Sequence, residues 1–179
     1  MSAREFPIPL KMVRRTLEAV PEFPLPARFR LRTYQAGDEE IWRKIHLAAD
    51  RFNEITPGLF AEQFGTDTAL LGQRQIYLVE EPGQVIGTGT AWFNHGFQDQ
   101  SFGRIHWVAL LPERQGQGLA RPLMTALCRR LRELGHERAY LSTSSARVVA
   151  IRLYQRFGFV PLIEDEQQRT AWRQLGFRG

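Results

Sequence analysis

The stretch from Ile105 to Leu134 constrains the fold more than any other part of the chain. Ile105 to Leu111 is a near-continuous apolar run, the pattern of a strand buried at the centre of a sheet. Only a tight loop, Pro112 to Gly118, separates it from a helix. In that helix Leu119, Leu123, Leu127, Leu131 and Leu134 form one apolar stripe, and Gly135 is placed to cap its end. A central strand that feeds a striped helix through so short a connection lays that helix onto its own sheet.

The flanking segments extend this core. Phe29 to Thr33 reads as a first strand. Gly37 then opens a helix with acids in its first turn and apolar residues at Ile41, Ile45, Ala48, Ala49 and Phe52, broken at Pro57-Gly58. Leu59 to Phe64 is a short second helix. Ile76 to Val79 and Val85 to Phe93 form a hairpin around Glu81-Pro82-Gly83-Gln84, and Asn94 to Gly103 reads as a polar loop. After the striped helix come a strand (Arg138 to Thr143), a helix (Arg147 to Phe157, ended by Gly158) and a last strand (Phe159 to Ile163). The tail from Glu164 is expected to be partly helical around Trp172. This order predicts a single α/β domain, a mixed sheet flanked by helices, antiparallel early and with parallel pairing later. Residues 1–27 are proline-rich near both ends and read as an extension, with Lys11 to Val20 predicted helical; residues 28–179 form the domain.

Composition narrows the function. The 179 residues suit one domain, and 43% apolar residues supply a core. A single cysteine, Cys128, excludes an internal disulfide, and four scattered histidines make a metal site unexpected. Cys128 itself lies beside the apolar stripe and reads as a buried structural thiol. No apolar run is long enough to span a membrane and the start lacks a secretion signal, so a cytoplasmic protein is expected. The net charge is +5 with acids interspersed. That is no nucleic-acid signature, but it suits a polyanionic small ligand.

The chemistry centres on Pro112-Glu113-Arg114-Gln115-Gly116-Gln117-Gly118-Leu119-Ala120-Arg121. Glycines let backbone N–H groups turn together, and the helix's first turn adds unpaired N–H groups and a dipole that favour phosphate. A Walker loop would need Lys-Ser/Thr after its last glycine, where Leu119-Ala120 stands. A dinucleotide fingerprint would need Gly or Ala where Arg121 stands. Taken alone, the segment can also be a turn that only links strand to helix. Two segments together, however, resemble the GNAT superfamily (Gcn5-related N-acetyltransferases). Gln115-x-x-Gly118-x-Ala120 is similar to its pyrophosphate loop. Val148 to Phe159, with Ala150, Tyr154 and Gly158-Phe159, is similar to its later Asn-x-x-Ala-x-x-x-Tyr-x-x-x-Gly-Phe element.

This resemblance implies acetyl-CoA as co-substrate and an amine as acceptor. The pantetheine arm would pair with Val108, Ala109 and Leu110, and the diphosphate would sit on the amides of Gly116, Gln117, Gly118, Leu119, Ala120 and Arg121, beside Gln115. Tyr154 would protonate the departing thiolate. Where the family often has Asn, Arg147 stands, a cation opposing the helix dipole and so expected to reach the cofactor or another anion. Where several members place a basic Glu, Ser142 stands. His106 is then the first candidate base, because alternation puts it on the face of Val108. Asp50, Glu54, His95 and Asp99 are the other candidates. The run Ser142-Thr143-Ser144-Ser145 is expected to cap the following helix. Trp42, Trp92 and Trp107 are core or acceptor-pocket residues. A non-catalytic acyl-CoA-binding module of the same fold is the rival reading, and a homodimer through the sheet's far edge is left open.

Overall fold

The computed structural model describes residues 7–177; the secretion-signal reading of residues 1–6 lies outside them. Seven strands form one sheet in the order β2-β3-β4-β5-β6-β1-β7. They are β1 (Pro9–Arg14), β2 (Phe29–Thr33), β3 (Gln75–Glu80), β4 (Gln84–Phe97), β5 (Gln100–Leu110), β6 (Ala139–Ser144) and β7 (Val160–Leu162). Six helices flank it: α1 (Asp38–Ala49), α2 (Leu59–Phe64), α3 (Thr68–Arg74), α4 (Ala120–Glu133), α5 (Val148–Arg156) and α6 (Glu166–Gln174). All strand pairs are antiparallel except β5 with β6.

The leucine stripe explains the first layer. Leu119, Leu123, Leu127 and Leu131 are buried, and they pack with Ile105, Leu141, Ile151, Phe157 and Trp172. Burying each such leucine contributes roughly 1.5–3 kcal/mol. On the opposite face α1 and α2 bring Trp42, Phe60 and Phe64 against Tyr77 of β3. Gly135, at φ 83°, ends α4 in the left-handed region as expected. The tail is helical as α6, with Trp172 buried.

Two expectations fail, for identifiable reasons. The segment from Lys11 is not a helix. Pro9–Arg14 is a strand inserted between β6 and β7, hydrogen-bonded in antiparallel register to both (Met12 faces Leu141 and Pro161). Leu10 and Met12 alternate inward there, a period-2 signal too short to stand out between prolines. Asn94 to Gly103 is not a loop either. β4 runs to Phe97 and β5 starts at Gln100, joined through Gln98 and Asp99, both at positive φ (51° and 56°). That is a two-residue hairpin turn made without glycine.

Candidate active site

The site begins where two strands part. β5 and β6 pair only at Gly103 with Ala139 and Arg104 with Tyr140. Beyond Arg104 the edge of β5 that faces β6 has no strand partner. A cleft of about 1010 Å³ occupies the gap, with His106–Leu110 on one wall and Ser142–Ser144 on the other. This is ample for an extended ligand.

A β-bulge shapes the β5 wall. Thr88 faces Ala109 and Thr90 faces His106, so Trp107 and Val108 together oppose the single residue Gly89. Trp107 sits at φ 48°, a conformation that is strained for a bulky residue. Its ring is held edge-on against Trp42 (5.2 Å) and His46 (5.1 Å), and its Nε1–H donates to Gln63 Oε1 at 3.0 Å. The bulge overturns one expectation: His106 and Val108 do not share a face. Val108 packs on the α4 side, where a Cβ built on Gly89 would meet both Leu127 and Val108. His106 turns to α2, against Phe64 and Gln63.

The glycine loop forms one end of the cleft. After a 3₁₀ turn at Pro112–Arg114, Gly116 and Gly118 take φ 74° and 79°. Their missing side chains are a conformational requirement, since a Cβ at either would meet nothing within 4 Å. Among the described residues, the amides of Gly116, Gln117, Gly118, Leu119 and Ala120 donate to no backbone carbonyl, whereas that of Arg121 is taken by the Gly118 carbonyl at 3.1 Å. Five successive free N–H groups at a helix start form an anion nest. Gln115 Nε2 donates to the Leu110 carbonyl at 3.0 Å, closing the loop onto its strand. Gln115, Gly116, Gly118, Leu119, Ala120 and Arg121 line the cleft. The side chain of Gln117 does not: it donates to the Glu113 carbonyl on the exposed side.

Tyr154, half-buried on α5, also lines the cleft. Burial raises its pKa and the charge of Arg147 only partly opposes this, so the phenol keeps its proton at neutral pH. Arg147 finds its anion in Asp50, with Nη2 at 2.9 Å from both carboxylate oxygens, and lies 4.9 Å from the centre of the Phe52 ring. This contact ties the end of α1 to the start of α5 across the cleft. Burial pushes the Asp50 carboxyl upward, but hydrogen bonds from Arg147, the Phe52 amide and Asn53 outweigh it and hold the group below its usual range.

His106 is a neutral imidazole. Burial lowers its pKa, helped by the charges of Arg104 and His46, to about 2. Its tautomer follows from its neighbour. The Trp107 indole can only donate, so it fixes Gln63 Oε1 as an acceptor, and the His106 Nε2 at 3.1 Å from that oxygen carries the proton. The lone pair is left on Nδ1. His46, missed by sequence reading, lies one helical turn beyond Trp42, ring against ring at 4.2 Å. Burial lowers it to about 4, and its Nε2 has no partner.

Other candidates fall elsewhere. His95 contacts Ser101 at 3.2 Å on the exposed hairpin and Asp99 sits at its tip. Neither these nor Glu54 line the cleft. Of the three tryptophans only Trp107 does. Cys128 is buried and its thiol is pushed up to about 12 by that burial. The hydroxyl run does not cap α5: Ser145 Oγ accepts from the Ile8 amide, which secures β1, and Thr143 Oγ1 and Ser144 Oγ lie buried without partners. Among the described residues no cluster of metal ligands is found and no helix is long and apolar enough to cross a membrane.

Comparison with known proteins agrees with this geometry. Residues 38–159 match the acetyltransferase (GNAT) family. Mycothiol acetyltransferase of Thermobispora bispora is 30% identical over 173 residues, covering 89% of this chain and 56% of that protein. The Mycobacterium ulcerans protein of the same name is also 30% identical, covering 84% and 53%. The chain thus spans about half the length of the curated relatives it matches. Among solved structures, a GCN5-related N-acetyltransferase from Sphaerobacter thermophilus superposes with a TM-score of 0.69 at 22% identity, covering 89% of this chain and 50% of that one. The ribosomal-protein-S18-alanine N-acetyltransferase of Escherichia coli gives 0.59 at 20% identity, covering 75% and 79%.

Proposed function

The chain belongs to the acetyltransferase (GNAT) family, and from that premise we propose that it passes acetyl from acetyl-CoA to a primary amine by direct attack, in the cytoplasm. The observation that carries the reading is the free amide nest at Gly116–Ala120, set at the end of an unpaired strand edge. The nest suits a diphosphate and the β5 edge from Val108 to Leu110 suits an extended arm held by backbone hydrogen bonds. Acetyl-CoA supplies the acyl thioester. The catalytic unit is residues 28–179, with β1 of the preceding extension completing the sheet beside the cleft.

In this reading the side chains divide the work. Tyr154, neutral at working pH, donates its phenolic proton to the departing sulfur. Such a positioned acid is worth roughly 10²–10⁴-fold. His106 presents the Nδ1 lone pair to the proton that the attacking nitrogen sheds. Alkyl ammonium groups titrate near pH 10, at about 10.4 for a lysine side chain, so the acceptor must reach the cleft as the free amine or lose its proton through water. Arg147 spends Nη2 on Asp50 and has Nη1 and Nε left for the cofactor.

Calorimetry with acetyl-CoA followed by thiol release with an amine panel tests the reading. Heat of binding and release with at least one amine are expected. Binding without release from any amine would make the protein an acyl-CoA-binding module, and absence of heat at millimolar acetyl-CoA would end the proposal.

A further inference from the structure

The cleft wall is unbalanced in charge. Among the described residues Arg104, Arg121, Arg147, Arg152 and Arg156 line it, against a single acid, Asp50, which is already engaged by Arg147. Four of these arginines belong to the loop helix or to α5 and its N-terminal cap. Arg104 stands apart, at the closed end where β5 and β6 still pair. It is the one charged residue of β5.

Arg104 has no anion of its own. Among the described residues no carboxylate lies within salt-bridge distance of it, its Nε is buried without a hydrogen-bond partner, and its guanidinium carbon lies 5.6 Å from the centre of the Tyr140 ring. A half-buried guanidinium with a desolvated, unpartnered Nε is costly, and wherever a planar anion is read, the five-donor fork suits a carboxylate. A diphosphate held on the loop amides would not serve. Six steps along the strand separate Leu110 from Arg104, about 20 Å at 3.3 Å each.

The position suits the second reactant. Arg104 and His106 lie two apart ahead of the bulge, so they share the face that looks toward α1 and α2. Trp92, opposite Arg104 in register, touches Phe64 on that same side. We infer that Arg104 is a specificity residue for the acceptor and that the acceptor is a small amine bearing a carboxylate, held by this guanidinium while its nitrogen reaches the thioester near His106. The inference rests on the acetyltransferase reading given above. It carries a chemical bonus: a carboxylate on Arg104 cancels part of the positive charge that depresses His106, so the bound acceptor makes its own base more basic.

Matched pairs decide it. Thiol release is measured for α- and ω-amino acids and for their carboxamides, which differ only in the charged group. The acids are expected to show kcat/KM about 10- to 100-fold above the amides, the range of a charge-assisted bond. Arg104→Met keeps the stem over Tyr140 and is expected to bring the acids down to the amides, mainly through KM. Acetyl-CoA affinity is expected to stay within twofold of the unsubstituted protein, with Arg104→Lys recovering part of the preference. Equal kcat/KM for acids and amides, a preference that survives Arg104→Met, or no release from any pair while acetyl-CoA still binds would each overturn the inference. If Arg104→Met does not fold, the paired comparison on the unsubstituted protein decides by itself. Failure of acetyl-CoA to bind strikes the acetyltransferase reading instead, so the two failures are told apart.

Discussion

The two ends of the cleft are built on different principles. The loop end is made of consecutive backbone: five amides from Gly116 to Ala120, aligned by two left-handed glycines and a helix start. The rest of the cleft is lined by side chains from separate elements: His46 on α1 and Asp50 just after it, Gln63 on α2, Arg104 and His106 on β5, Tyr154 and Arg147 at α5. Backbone chemistry does not titrate and tolerates most side-chain changes nearby. Side-chain chemistry depends on burial, neighbouring charge and register, and this is where catalysis and selection reside.

Perturbing each end separately breaks or sharpens this contrast. The largest effect is expected at the side-chain end: Tyr154→Phe lowers kcat by roughly 10²–10⁴-fold while calorimetry finds acetyl-CoA affinity unchanged. Retained turnover would remove the phenol from the reaction. Next is a pH effect confined to the same end. His46 is held at about 4 against an ordinary 6.5, so below pH 6.5 the unfolded chain takes up a proton that the folded one refuses. Stability from this group is complete above 6.5 and is lost as pH falls towards 4, by about 3 kcal/mol. Denaturant titration of His46→Phe across that window is expected to show a correspondingly smaller loss. At the backbone end, Gly118→Val forces a β-branched residue to φ 79°, with a strain of roughly 1–3 kcal/mol. Acetyl-CoA affinity is expected to drop about 10- to 100-fold, with kcat at saturation far less changed. The smallest effect is Gln117→Ala, whose side chain points away from the cleft. Calorimetry is expected to find affinity within twofold, and a larger loss would mean that this loop is read by side chains after all.

The same contrast explains what could be read in advance. Gly116, Gly118 and the leucine stripe act through local conformation and period, so the loop and α4 are legible from residue order, whereas Tyr154 on α5 is singled out only by the resemblance to the family. His106 was found but assigned to the wrong face, because the bulge at Trp107 is imposed by packing against Trp42 and His46 and breaks the two-residue period. The carboxylate that meets Arg147 lies 97 residues away, a separation no local pattern reveals. Arg104 did carry a signal, as a charge in the first half of an otherwise uncharged strand, but its meaning depends on the absence of a partner, which only the folded chain displays.

The insertion of β1 has a further consequence for how the molecule is made. Its entrance is fixed by Ile8 donating to Ser145, 137 residues further along, and its two neighbours, β6 and β7, follow every other strand of the sheet in chain order. β1 must therefore wait, without either sheet neighbour, until β6 and β7 have been made, a long-range closure of the kind that slows folding. Pro7 and Pro9 then line the cleft, so the late docking of this strand also finishes the wall of the ligand space.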